Sequence, residues 1–230
     1  MQTFRMMAAA AAIAGATAIA GAPAQAAIFN FVDGTAGAIP DAHQTNEVVA
    51  GLGLGAPLAG FFGAQINLVG SSPVLVEFLG YEAGYRNTFT LGGDGFYTET
   101  DDPTPGNNKE IFATPPSYWT GPLSGLLAFV FSTSGGGTPA SVANGSNPTD
   151  ASEGPTNVNF FASIVGAPTA TSGRSVMLFF DDNGADNDDN HDDMVVRLSV
   201  VPLPASLPLL LGALCGVGFI SRRKRAYAAA

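Results

Sequence analysis

The chain has 230 residues, 46% hydrophobic and only 12% charged, with 19 acidic side chains against nine lysines and arginines and a net charge of −10. That balance makes nucleic acid and anionic lipid surfaces poor partners, because both repel an acidic protein. The length is that of one ordinary domain plus targeting segments, and a single cysteine, Cys215, excludes a disulfide framework.

Residues 1–26 read as a secretory signal peptide: Arg5 precedes an Ala- and Ile-rich run, and the small-residue sites Ala22-Pro23-Ala24 and Ala24-Gln25-Ala26 close it. Cleavage after Ala26 leaves a mature chain starting at Ala27. Between residues 27 and 221 only Arg86, Lys109, Arg174 and Arg197 are cationic, against all 19 acids, a local net of −15. The exported body is therefore more acidic than the whole chain, which suits a solvated surface or one that gathers divalent cations.

Residues 27–200 are rich in Gly, Thr, Ser, Asn and Pro and poor in Lys and Glu, a composition of strands joined by turns rather than of surface helices. Strands are predicted near residues 28–32, 64–69, 74–79, 87–91, 95–98, 126–132, 158–165, 175–180 and 194–200. In the last of these Met194, Val196, Leu198 and Val200 share one face while Arg197 and Ser199 share the other, and Val158, Phe160, Ala162 and Ile164 alternate likewise. Residues 176–180 are apolar on both faces, as a central strand requires. The expectation is an all-β domain, an antiparallel two-sheet sandwich of jelly-roll-like form. The Gly-rich stretch 51–63 is expected as a tightly packed loop, and residues 134–157 as a mobile surface loop.

Between two of these strands lies DDNGADNDDNHDD, residues 181–193, with seven carboxylates. Like charges at that density repel, so an ordered loop calls for counter-charge, and a hard cation with oxygen ligands, calcium, supplies it. Asp186, Asp188 and Asn190 follow the alternate spacing that opens an EF-hand loop; Asp193 is the fourth candidate ligand. His191 stands where the turn glycine of that motif belongs and Arg197 where its bidentate acid belongs, so the loop is not an EF-hand. The competing reading is a solvated acidic turn without an ion, with His191 as a surface histidine.

The tail reads VPLPASLPLLLGALCGVGFISRRKR, residues 201–225. It joins a Pro-rich turn (Val201, Pro202, Leu203, Pro204, Ala205), an uncharged apolar run to Ile220, and the basic group Arg222, Arg223, Lys224 and Arg225. At about 1.5 Å per residue the run from Leu203 to Ser221 makes a helix of on the order of 28 Å, enough to cross a bilayer core. Basic residues stay on the cytoplasmic side, which puts the chain before Val201 across the membrane. The five residues 226–230 follow as a short tail.

Pro motif, short apolar helix and Arg-rich end in that order resemble the sorting signals of PEP-CTERM exported proteins of Gram-negative bacteria, in the VPLPA-type variant. The resemblance implies processing near the Pro motif by an exosortase-type membrane transpeptidase, with the precursor in the inner membrane and the product at the cell surface or in an extracellular polysaccharide matrix. The segment FLGYEAGYRNTF, residues 78–89, and the acid-ended strand, Asp/Asn/Gly loop and Asn190-His191-Asp192 before Met194 resemble recurring segments of the same group.

No G-x-S-x-G elbow, zincin helix or P-loop lysine is present. The expected function is thus that of an exported, non-enzymatic surface or matrix protein. A carbohydrate-binding or adhesive module, using Tyr81, Tyr85, Tyr97, Tyr118 or Trp119 as stacking rings, is one alternative. A secreted polysaccharide hydrolase using a pair such as Glu77 with Glu82, or Glu99 with Asp101, is the other.

Overall fold

The structure, a computed structural model, describes residues 26–40, 45–98, 108–134, 140–148, 158–182, 190–201 and Leu214. One compact unit spans Ala27–Pro202 and contains every element below. The predicted signal peptide before Ala26, the tail from Pro202 onward apart from Leu214, and Asp186 and Asp188 lie outside the described residues. Among the described residues no helix is long and apolar enough to cross a membrane.

The unit is all-β and sandwich-like. Among the described residues sixteen strands pair antiparallel in three sheets, and one short helix, α1 (Glu47–Gly51), interrupts them. The largest sheet runs β2 (Thr35–Ile39), β3 (Leu58–Phe62), β13 (Asn159–Ile164), β15 (Ser175–Asp181), β16 (Met194–Val200), β5 (Val74–Glu82) and β8 (Lys109–Ile111). Along the outer edge of β5, β8 pairs with residues 80–82 and β9 (Ser117–Trp119) with residues 75–77. A second sheet orders β10 (Leu123–Leu126), β4 (Gln65–Ser72), β1 (Ile28–Val32) and β14 (Ser172–Gly173). The third orders β12 (Ala140–Ala143), β11 (Phe129–Ser134), β6 (Arg86–Leu91) and β7 (Asp94–Tyr97).

The large sheet is buried on both faces, and the alternation of its strands explains how. Phe160, Ala162, Val176, Leu178, Phe180, Met194, Val196 and Leu198 join one core with Phe29, Phe31, Ile66 and Leu68 of the second sheet and Phe89, Phe129 and Phe131 of the third. The two small sheets thus share the layer opposite the large one. Phe161, Met177, Phe179 and Val195, at the intervening positions, point the other way and form a second core with Ile39, Leu58, Phe62 and the helical Val48 and Val49. The two-faced strand expected at 175–180 is β15, and it lies between β13 and β16.

In β5 the inward phase changes midway: Val76 and Phe78 face the first core, Leu79 faces the second, and Tyr81 returns to the first. The register against β16 shifts between Val195 and Val196, so Leu79 and Gly80 together oppose one residue, as in a β-bulge. A Cβ on Gly80 would lie 2.5 Å from the Glu110 carbonyl, so only glycine allows β8 to pair there. The same is true of Gly60, where a Cβ would stand 2.4 Å from the Ala162 carbonyl.

Two expectations change here. The Gly-rich stretch 51–63 is only partly a loop, since its last five residues but one form β3, with glycine at the close approach to β13. Within 134–157, β12 pairs with β11. Beyond it Asn144 clamps the second sheet to the third: Oδ1 accepts from Ile66 N at 2.8 Å, and Nδ2 donates to the Ile66 and Leu127 carbonyls, each at 2.8 Å.

Phe180 is fully buried between the layers, its ring stacked on Phe131 with centroids 4.8 Å apart. Phe180→Ala is expected to destabilise the protein by about 3–5 kcal/mol through lost transfer energy and the cavity left behind, read as a lower urea midpoint at unchanged slope.

Candidate functional site

The acidic loop leaves the core from β15 and re-enters at β16, and both ends are inside the protein. Asp181, Asp182, Asn190, His191, Asp192 and Asp193 are all buried, none more than 7% exposed. Of the predicted calcium ligands, Asn190 and Asp193 are therefore interior residues at the base of the loop, whereas Asp186 and Asp188 fall outside the described residues. Burial of carboxylates without hydrogen bonds or counter-charge is strongly unfavourable, and the surrounding elements meet that demand with specific groups.

The first group is the start of α1. Asn46 is its N-cap, with Oδ1 accepting from Val49 N at 2.6 Å, while Nδ2 donates to the carbonyls of Asn190 at 2.6 Å and His191 at 3.2 Å. Glu47 N donates to Asp192 Oδ2 at 2.9 Å. One asparagine and one backbone amide thus seat the end of the loop on the helix. Lys109 of β8 pairs with the Glu47 carboxylate at the same corner.

The second group is the stretch from β5 into β6, the FLGYEAGYRNTF segment, which crosses from the large sheet to the third. Glu82 N donates to the Asp192 carbonyl at 2.8 Å, and Asn87 Nδ2 donates to Asp182 Oδ2 at 2.6 Å. The segment 78–89 and the base of the acidic loop are therefore in direct contact, 95 positions apart in sequence at the Asn87–Asp182 bond. Across the loop's base Asp182 N donates to Asp193 Oδ2 at 2.8 Å and ties its two ends together.

His191 is not a surface histidine. It is 1% exposed, holds φ at 60°, and packs edge-on against Phe62 and Phe161, with ring centroids 5.4 and 6.4 Å away. Its Nε2 lies 2.6 Å from Asn159 Oδ1, a pure acceptor, which makes Nε2 the protonated nitrogen of the neutral ring. Burial lowers its pKa to about 3. Asp193 shifts the other way: burial first, then the Asp182, Asp181 and Asp192 carboxylates, push it well above the usual carboxylate range, opposed only by the bond from Asp182 N.

The other sequence candidates are scattered. Glu77 is held by a two-pronged ion pair from Arg197, Nε to Oε2 and Nη2 to Oε1 at 2.7 Å each, across the β5–β16 ladder. Glu99 and Asp101 lie outside the described residues. Tyr81 is buried, and the Tyr118 hydroxyl donates to carbonyls of Leu91 or Asp94, each 3.1 Å away, with burial raising its pKa to about 12. Tyr97 and Trp119 are more than half exposed, and Arg86 lies over the Tyr97 ring at 5.0 Å. Sequence reasoning missed Asn46, Asn87 and Asn159, asparagines with no motif around them. For Asn87 alone a signal existed, its place in the segment 78–89 singled out in the sequence.

Among the described residues no three acid, histidine or cysteine side chains are grouped as a metal would need. No family model, curated protein or solved structure matches the chain.

The opposed shifts give a pH test. In the unfolded chain His191 titrates near 6.5, so below that pH the unfolded state takes up a proton that the folded state refuses, and stability falls toward pH 3. Asp193, protonated more readily in the folded state, adds stability as pH falls through its folded pKa toward the unfolded value of 3.8. His191→Asn removes only the first effect and tolerates the positive φ. From pH 7 to 4.5 in metal-free buffer, the native chain is expected to lose about 2–3 kcal/mol relative to that variant, measured by urea unfolding at each pH.

Proposed function

We propose that this chain is an exported, non-enzymatic protein of the cell surface or extracellular matrix, sorted through its C-terminal VPLPA-type signal. The observation that carries the reading is where the compact unit ends. Its last core strand, β16, stops at Val200, Val201 is exposed, and the unit closes at Pro202, inside the Pro motif. Cleavage in residues 201–205 would therefore free a body whose cores are complete, disturbing among the described residues the contact between Ser72 Oγ and the Val201 carbonyl at 3.5 Å. At the other end the unit begins at Ala27, the residue that signal peptidase would expose.

The body is read as a jelly-roll-like sandwich in which the two four-stranded sheets act as one layer facing the large sheet. In this reading the sandwich is a rigid, acidic carrier whose residues 201–225 interact with the membrane and the exosortase-type enzyme before processing. An extracellular polysaccharide is the partner the matrix location implies.

A carbohydrate-binding module is the second reading, favoured by the exposed rings of Tyr97 and Trp119. Glycan-array binding lost in Trp119→Ala supports it over the carrier role. The hydrolase reading is weakened because Glu77 is engaged by Arg197; turnover of polysaccharide by the purified protein would reinstate it.

Mass spectrometry of the protein from its own host is expected to find a mature form that begins at Ala27 and lacks Arg222 to Arg225. An intact tail as the only form in a host with an active exosortase would falsify the sorting assignment. In a host without that enzyme, replacing Leu210 and Leu214 by Arg is expected to abolish carbonate-resistant membrane retention, since each central charge disfavours insertion by about 2.5–3.5 kcal/mol.

A further inference from the structure

Two amide oxygens at the acidic hub have no hydrogen-bond partner. Asn87 is fully buried and Asn190 is 4% exposed, yet the Oδ1 of each accepts nothing. An unsatisfied buried amide oxygen is unfavourable, and native proteins retain one where something else completes it. Asn87 shows what that is. Its Nδ2 is fixed on Asp182 Oδ2 at 2.6 Å, so the bare Oδ1 belongs to an amide held against Asp182, whose backbone N in turn donates to Asp193 Oδ2.

A hydrogen-bond donor would satisfy one such oxygen. A cation satisfies several at once, and it also offsets the mutual repulsion of carboxylates gathered in a buried place. The body's own cations are largely committed elsewhere: Lys109 to Glu47, Arg197 to Glu77 and Arg86 to the Tyr97 ring. The donor set is oxygen-only, two carboxylates with amide carbonyls. Imidazole-seeking metals are not favoured by such a set, whereas calcium accepts amide and carboxylate oxygens with water filling the remainder of six to eight positions.

We propose that Asn87, Asp182, Asp193 and Asn190 form a calcium site shared between the start of β6 and the base of the β15–β16 loop. It differs from the site expected from sequence, which lay wholly on the loop, and it gives the FLGYEAGYRNTF segment a role as donor of an oxygen ligand from a distant strand, β6. The site does not depend on export or tail processing, although an extracellular compartment holds the millimolar calcium that such modules use.

The test is calcium titration of the full chain purified in detergent, by calorimetry and by thermal unfolding against EDTA. One calcium ion per chain is expected, with the midpoint raised by about 3–6 °C at free calcium ten times Kd. Asn87→Leu is expected to abolish both signals, and Glu110→Gln, on the exposed β8, to leave them unchanged. Asn87→Asp, which keeps the oxygen and adds a charge, is expected to tighten binding by about tenfold. That arm stands even if Asn87→Leu does not fold: unchanged or weaker affinity in Asn87→Asp overturns the proposal. So does the absence of bound calcium in the native chain, or binding that survives in Asn87→Leu and is lost when Asp186 and Asp188 are replaced by Asn.

Discussion

A loop of charged residues that begins and ends inside the protein is the constraint on which this structure turns. Strands β15 and β16 are buried on both faces for nearly their whole length, so the chain that joins them leaves the interior at Asp181 and Asp182 and returns at Asn190 to Asp193 while still enclosed. Polar groups in such a place need partners within the protein. Those partners are Asn46 and the Glu47 amide at the helix start, the Glu82 amide of β5 and Asn87 of β6, and Asn159 on β13. The helix, the β5–β6 connection and the central strands are consequently positioned by one shared polar junction.

The hydrophobic part of the fold fits around that junction. A large sheet with both faces apolar must be covered twice, by two smaller sheets on one side and by α1 with its flanking chain on the other. The covering helix is only five residues long, too short to persist by propensity alone. It is held by the burial of Val48 and Val49 and by its Asn46 cap, whose amide also holds the loop. Core and polar hub therefore reinforce each other: weakening the loop's seating removes the support of the helix, and losing the helix uncovers the second core.

Much of the scaffold was legible as alternation. Strands β13, β15 and β16 carry large apolar residues at period two, and a period-two pattern can satisfy a buried sheet with little help from its surroundings. The strands that escaped notice are short or built of small residues. β2 and β3 read TAGAI and LAGFF, and their glycines, which argue locally against a strand, are there because Phe62 and the β13 backbone come too close for a Cβ. β8, β9 and β14 have two or three residues each, and partners rather than composition define them. The bulge at Leu79 and Gly80 hid the second half of β5 in the same way, by breaking its period.

By itself the sequence determined the all-β character of the body, its acid excess, its lack of disulfides and the order of Pro motif, apolar run and basic end in the tail, because each follows from residue type and spacing along one segment. It also marked residues 181–193 as the place where charge has to be neutralised. Only the tertiary structure decided that this charge is internal, that His191 is a neutral core residue, and that Asn46, Asn87 and Asn159 serve it from 145, 95 and 32 positions away. The reason is that an asparagine's amide has the same chemistry in a solvated turn as in a buried hub. What differs is which distant chain segments the closing of the sheets brings within hydrogen-bond reach.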